Sequence, residues 1–210
     1  LFQEWGELSV TARFIELMSD KTAGGRASSS SNQCSGAGVA ALVSNNPAAK
    51  CLERAKKFNI PTVVVPSKDF KGSREEFDTL LVNELNKHGV ELVCLAGYMR
   101  FVSSVMLNAF KDRVLNIHPA LLPSFKGLHA QKQALEYGVK YAGCSVHFVD
   151  ELGDNGPIIV QKVVPVEDDD TEESLSKRIL EQEHIAYSEA IKLLAENKLT
   201  IEGRVVKIKK

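Results

Sequence analysis

From Ser44 onward, short apolar runs rich in β-branched residues alternate with stretches whose apolar positions recur every three or four residues. Strand, helix and strand in that order leave few ways to build a core: the strands lie side by side, covered by the helices that join them. The class expected is therefore α/β, Rossmann-like, with a mostly parallel sheet and helices on both faces. Residues 39–43 read as a short strand and residues 47–58 as a helix, with Pro47 in its first turn and Leu52, Ala55 and Phe58 on one face. Residues 60–65 form the next buried strand. Ser73 then opens a helix, with Glu76 three positions on as a capping box and Phe77, Leu80, Leu81 and Leu85 as its apolar stripe. Residues 90–96 are apolar almost without interruption, as a strand covered on both faces requires. A helix over residues 104–110 leads to a strand over 114–117. Ligands of open α/β sheets bind beyond the carboxyl ends of the strands, so the segments after Ala96 and Ile117 are expected to border one cleft.

The pattern then changes. Residues 144–149 and 158–166 are strands joined by a loop too short for a crossover helix, which predicts an antiparallel hairpin at one edge of the sheet, with an acidic loop at its tip. Thr171 opens a long amphipathic helix to residue 197, and residues 199–208 form a small closing hairpin around Glu202 and Gly203. The first forty residues follow no such pattern. Residues 10–18 read as a strand, while residues 22–38 are mostly Gly, Ala and Ser and are either an unstructured stretch or a phosphate loop. A single domain over residues 1–210 accounts for the whole, with 1–40 irregular and 44–204 carrying the pattern.

Charge and cysteine usage narrow the setting. The 210 residues carry a formal net charge of −1 with the basic groups scattered, which argues against a nucleic-acid partner. Cys34, Cys51, Cys94 and Cys144 are far apart and form no C-x-x-C pair, as in a reducing, cytoplasmic protein. No apolar run approaches the roughly 18 residues that cross a bilayer, so no membrane partner is expected.

The strand over residues 114–117 ends in Asn116-Ile117-His118-Pro119. Asn116 and His118 are two residues apart and share one side of the strand, and Pro119 fixes the exit of the chain, so an amide and an imidazole are delivered together to the sheet rim. Asp154 precedes Asn155-Gly156 and is either a solvated turn acid or a third member of that group. Asp150 and Glu151 read as turn residues. Arg100, after Gly97-Tyr98-Met99, is a candidate ligand contact, whereas Glu183 and His184 read as part of a solvated helix face. His88, His129 and His147 have no metal-ligand spacing, and no metal is expected.

The run Leu115-Asn116-Ile117-His118-Pro119-Ala120-Leu121-Leu122-Pro123, with Gly97-Tyr98-Met99-Arg100 before it and Ser145-Val146-His147-Phe148-Val149 and Asp154-Asn155-Gly156-Pro157 after it, resembles the folate-dependent formyltransferases. Gly127-Leu128-His129-Ala130-Gln131 and Gln182-Glu183-His184 are similar to the members of that family that act on phosphoribosylglycinamide. The likeness runs from about residue 44 to residue 204. It implies the formyltransferase fold and a catalytic trio of Asn116, His118 and Asp154, whose spacing is that of the family pattern. It also implies that Met99, Arg100, Phe101 and Val102 line a pteridine pocket, with Asn116 and the loop of Asp150, Glu151, Leu152, Gly153 and Asp154 also meeting the folate, and that Arg74 is a basic folate contact. Leu180, Glu181, Gln182 and Glu183 correspond to the contact with the ribose of the ribonucleotide.

The resemblance implies a reaction in which the amine of glycinamide ribonucleotide attacks the formyl carbon of 10-formyltetrahydrofolate, the co-substrate, as a step of purine synthesis. Asn116 as a donor and His118 in its charged form would stabilise the developing oxyanion, His118 would handle the proton, and Asp154 would favour the charged imidazole. The expected partners are these small molecules, on a monomer or homodimer. One departure stands out. The family opens with a strand running into a Gly-x-Gly-Ser-Asn loop that holds the substrate phosphate, and the likeness here, Gly24-Gly25-Arg26-Ala27-Ser28 to Asn32, is degenerate, so the phosphate contacts stay unassigned. The alternatives are a folate-binding protein of this fold with impaired catalysis and a formyltetrahydrofolate hydrolase, although the latter carries an extra N-terminal domain for which forty residues are too few. A tRNA-directed formyltransferase would need a further C-terminal domain and a basic face.

Overall fold

A computed structural model of the chain describes residues 9–10, 33–34 and 37–209. The expected strand over 10–18 beyond Val10, and the degenerate glycine loop over 24–32, lie outside the described residues. The described residues divide into two compact units, one up to Val114 and one from Leu115.

In the first unit the strands are β1 (Ser9–Val10), β2 (Gln33–Cys34), β3 (Ala37–Gly38), β4 (Leu42–Ser44), β5 (Thr62–Val64) and β6 (Val93–Ala96), and the helices are α1 (Lys50–Lys57), α2 (Arg74–Lys87) and α3 (Ser104–Ala109). β4 and β5 pair in parallel, β1 pairs antiparallel with both β4 and β6, and β2 and β3 form a separate ribbon. The buried positions of β4 and β6 are continuous, as expected for strands covered on both sides. α1 starts later than Pro47 because Asn46 intervenes: its side-chain Oδ1 accepts from Ala48 N at 2.9 Å and its carbonyl accepts from Ala49 N at 3.1 Å, closing a turn that delays the helix to Lys50. Cys51, Leu52 and Ala55 then pack with Leu42 and Ile60.

Ser73 and Glu76 close the capping box as the spacing predicts, with Glu76 N donating to Ser73 Oγ at 3.1 Å and Ser73 N to Glu76 Oε2 at 2.7 Å. The apolar stripe of α2 needs one correction. Phe77, Leu81 and Leu85 are buried, but Leu80 is 45% exposed and Asp78 is buried in its stead. At about 100° per residue the buried arc runs from Phe77 through Leu81 and Leu85 to Asp78, and Leu80 falls on the other side of the helix.

The second unit begins within β7 (Val114–His118) and contains α4 (Ala130–Tyr137), β8 (Tyr141–Phe148), β9 (Ile158–Pro165), α5 (Glu172–Ala195), β10 (Leu199–Glu202) and β11 (Val205–Ile208). The predicted long hairpin is present, with β8 and β9 antiparallel from Tyr141↔Pro165 to His147↔Ile158. β7 pairs antiparallel with the other edge of β8, which places Asn116 opposite His147 and His118 opposite Ser145. The closing hairpin of β10 and β11 joins the same sheet through a parallel pairing of Val205 with Ile158. Thr171 caps α5 with Ser174 in a reciprocal box, and the hydroxyl of the buried Tyr187 on that helix donates to the carbonyl of Leu115 at 3.1 Å, fixing the start of β7. Among the described residues no helix is long and apolar enough to cross a membrane.

Candidate active site

β7 carries Asn116 and His118 to its end, and the loop between β8 and β9 brings Asp154 to them. His118 Nδ1 lies 3.3 Å from Asp154 Oδ2, and Asn116 Nδ2 donates to Asp154 Oδ1 at 3.4 Å. The sequence placed His118 on an exposed rim, but it is 4% exposed. Its environment is therefore set as much by burial as by partners. Asp154 holds a left-handed conformation with φ 42°, a backbone state that Asp tolerates better than most residues, and Gly127 N donates to its Oδ2 at 3.1 Å. The loop that carries it is tied down from several directions: Asp150 accepts from Leu152 N and from Asn155 Nδ2, Lys126 Nζ donates to Asn155 Oδ1 at 2.9 Å, and Arg204 donates to the Asn155 carbonyl at 2.7 Å. Asp150 thus works as a turn residue, as its sequence context suggests.

A fourth side chain joins the trio. His147, 1% exposed on β8, faces Asn116 Nδ2 with its Nε2 at 3.3 Å and stands 3.7 Å from Asp154 Oδ1. Its Nδ1 lies 2.8 Å from the carbonyl of Phe148, which can only accept, so Nδ1 carries a hydrogen and in the neutral ring Nε2 accepts from the Asn116 amide. Metal-ligand spacing in the sequence gives no sign of this role for His147. The signal lay in the pairing of strands, since any antiparallel register that puts a neighbour opposite Asn116 selects one residue of β8.

Burial holds the His118 imidazole below its ordinary pKa; the Asp154 carboxylate and the Phe125 carbonyl, 2.8 Å from Nε2, push the other way without prevailing, and His147 adds to the lowering. The expectation that Asp154 would favour a charged ring is thus met in sign but outweighed by desolvation. For Asp154, burial raises the pKa, but His147, His118 and the Gly127 N–H outweigh it and hold the carboxyl below its usual value. At neutral pH the pair is a neutral imidazole beside a carboxylate. Both ring nitrogens nevertheless face oxygen acceptors, so a proton arriving on His118 is met on each side.

The other predicted contacts divide between the units. Arg74 and residues 99–102 belong to the first unit, while Asn116, His118, the 150–154 loop and Leu180, Glu181, Gln182 and Glu183 belong to the second. Met99 and Phe101 are 59% and 60% exposed, Val102 is buried, and Arg100 stacks over the Phe77 ring at 4.5 Å from its centroid. Arg74, in the first turn of α2, lies 3.5 Å from Glu75 Oε1. Glu183 corrects the reading of a solvated helix face: it is 1% exposed. It sits four residues after Ile179 and eight after Leu175, both fully buried, so the helical period itself marked it as inward. A cavity of about 370 Å³ opens beside Leu121, Phe125, Tyr137 and Tyr141, but none of the trio lines it, and the polar convergence is what marks the site. Among the described residues no group of His, Cys, Asp and Glu is placed to hold a metal ion.

The sequence profile of the formyl transferase family matches residues 12–191. The trifunctional purine biosynthetic protein adenosine-3 of Chironomus tentans is 52% identical over 154 residues, which cover 73% of this chain and 11% of that protein. The phosphoribosylglycinamide formyltransferase of Bacillus subtilis is 43% identical over 158 residues, covering 75% of this chain and 80% of the relative. Among solved structures, the crystal structure of glycinamide ribonucleotide transformylase 1 from Symbiobacterium toebii superposes with a TM-score of 0.78 at 52% identity, over 80% of this chain and 79% of that one. The chain thus spans about a tenth of the length of the trifunctional relative and most of the length of the bacterial one.

Proposed function

The chain belongs to the formyl transferase family and has its mixed α/β fold; from that premise we propose that it transfers the formyl group of 10-formyltetrahydrofolate to the amine of phosphoribosylglycinamide, a step of purine synthesis. The observation that carries the reading is the convergence of Asn116, His118 and Asp154 within 3.4 Å contacts at the end of β7. The identity of the bacterial relative, over four-fifths of its length, supports the choice of acceptor.

The chemistry suits these groups. Attack of the amine on the formyl carbon places negative charge on the formyl oxygen and a proton too many on the nitrogen. The neutral His118 accepts that proton, and as it becomes charged Asp154 Oδ2 stabilises it at 3.3 Å. Proton handling of this kind accelerates a reaction by roughly 10²–10⁴. The two hydrogens of Asn116 Nδ2 are spent on long contacts, 3.3 Å to His147 and 3.4 Å to Asp154, so one can be redirected to the formyl oxygen at small cost. When the tetrahedral intermediate collapses, the proton held on His118 passes to the folate nitrogen that leaves.

The folate is assigned to Arg74, Met99, Arg100, Phe101, Val102, Asn116 and the 150–154 loop, and the ribose to the turn from Leu180 to Glu183. The test is incubation of the purified protein with both substrates while the absorbance of the folate is followed. Formyl transfer that requires the ribonucleotide supports the reading. Loss of the formyl group at the same rate without the amine would identify a hydrolase, and no change in the folate would overturn the assignment.

A further inference from the structure

Asp78 carries a carboxyl group into the interior of the first unit, on a helix whose stripe is otherwise apolar, at 1% exposure. Such a group is costly to bury unless it is bonded to donors, and its bonds show what it is for. Its Oδ2 accepts from Ser103 N at 2.6 Å and from Ser103 Oγ at 2.7 Å. Ser103 is the residue after Val102. At the other end of the same segment, burial and, after it, the Asp78 carboxylate push the Tyr98 hydroxyl well above its ordinary pKa. Neither Tyr98 Oη nor Asp78 Oδ1, both buried, has a hydrogen-bond partner among the described residues. Between the two ends, Arg100 lies 4.5 Å above the ring of Phe77, the neighbour of Asp78 on α2.

Two adjacent residues of one helix therefore hold this segment at two points, Asp78 at Ser103 and Phe77 at Arg100. What the clamp leaves free is Met99 and Phe101, 59% and 60% exposed, while Val102 beside them is buried. A non-regular segment with alternate apolar side chains turned outward presents a surface suited to a flat, partly apolar ring. We propose that Asp78 is a positioning residue that, by anchoring Ser103 from α2, fixes residues 99–102 and so sets the affinity for the reduced folate without touching it. This rests on the folate assignment proposed above for residues 99–102.

The experiment measures binding of tetrahydrofolate by calorimetry to the unaltered chain, to Asp78→Asn and to Ser103→Ala, together with KM for phosphoribosylglycinamide. Asp78→Asn keeps the volume but loses the charge; Ser103→Ala removes only the hydroxyl bond and remains informative should the first variant fail to fold. The expected result is about tenfold weaker tetrahydrofolate binding in Asp78→Asn and a smaller loss in Ser103→Ala, with KM for the ribonucleotide and kcat at saturating folate unchanged. A merely structural role would lower the melting temperature and leave the ratio of the two affinities alone. If the unaltered chain binds tetrahydrofolate and both variants bind it equally well, the clamp is refuted and the folate assignment stands. If the unaltered chain does not bind tetrahydrofolate, the assignment fails and the clamp fails with it.

Discussion

His118 Nδ1 and Asp154 Oδ2 stand 3.3 Å apart, although the residues come from a strand end and from a hairpin loop, and Gly127 N completes the carboxylate's contacts at 3.1 Å. Asp154→Asn keeps the shape of this pair and removes its charge. The imidazolium formed during attack then lacks its counter-charge, while the ground state, in which the ring is neutral, loses little. The expected outcome is a fall in kcat of about 10²–10³ with both KM values within about twofold of normal. Steady-state kinetics decide it, and near-normal kcat would remove Asp154 from the proton path.

The direction of the His118 shift fixes a pH dependence. Its pKa in the folded chain lies below the ordinary value of 6.5, so kcat/KM should rise with pH on a limb whose midpoint lies below 6.5 and be level above it. Asp154 is a group that raises this pKa, so Asp154→Asn should move the limb of its residual activity further to acid. Stability follows the same sign. Because the folded chain holds the proton on His118 less tightly than the unfolded chain does, this contribution is complete above about 6.5 and is lost as pH falls through the lower folded value. His118→Asn should flatten that part of a denaturation series. A limb centred above 6.5 contradicts the buried, neutral imidazole.

Much of this site was legible in the chain. Parity put Asn116 and His118 on one side of a strand, Pro119 ended it, and the capping pair of Ser73 and Glu76 fell where the spacing put it. What escaped depends on contacts between distant segments. The burial of His118 and the approach of His147 require the pairing of β7 with β8, which no local period encodes. Asp78 and Glu183 escaped for a different reason: each is a charged residue on the buried arc of its helix, and residue type overrode the period. Inward charges of this kind are so uncommon that residue type ordinarily outweighs the period, and only the fold reveals the exceptions.

His147 offers a test of cooperation within the site. Its Nε2 holds the Asn116 amide at 3.3 Å, so His147→Phe keeps an aromatic ring there and frees the amide. One neutral hydrogen bond of this kind is worth about 1 kcal/mol, which predicts a fall in kcat of about fivefold. Asn116→Ala removes the donor itself and should cost about 10²–10³. If His147 acts through Asn116, the double variant should be no slower than Asn116→Ala alone. Losses that multiply would give His147 an independent role.

Gly156 tests whether the loop position is set by close approach. A Cβ there would meet the Phe148 carbonyl oxygen at 1.8 Å and its carbon at 2.8 Å, and both are backbone atoms that cannot turn aside. The same carbonyl accepts from His147 Nδ1 at 2.8 Å, so any displacement reaches the site from two sides. Gly156→Ala should therefore cost about 2–4 kcal/mol of stability by overpacking. Gly203, in the turn between β10 and β11, supplies the control: its φ is 61° but nothing lies within 4 Å of an added Cβ, so Gly203→Ala carries only backbone strain of about 1 kcal/mol. Denaturation midpoints give the two costs. Activity measured where both variants are still folded separates the causes, because Gly156→Ala should lose turnover as Asp154 shifts, whereas Gly203→Ala should keep it. Equal losses of turnover in the two would show that general destabilisation, rather than the Gly156 contact, governs the placement of Asp154.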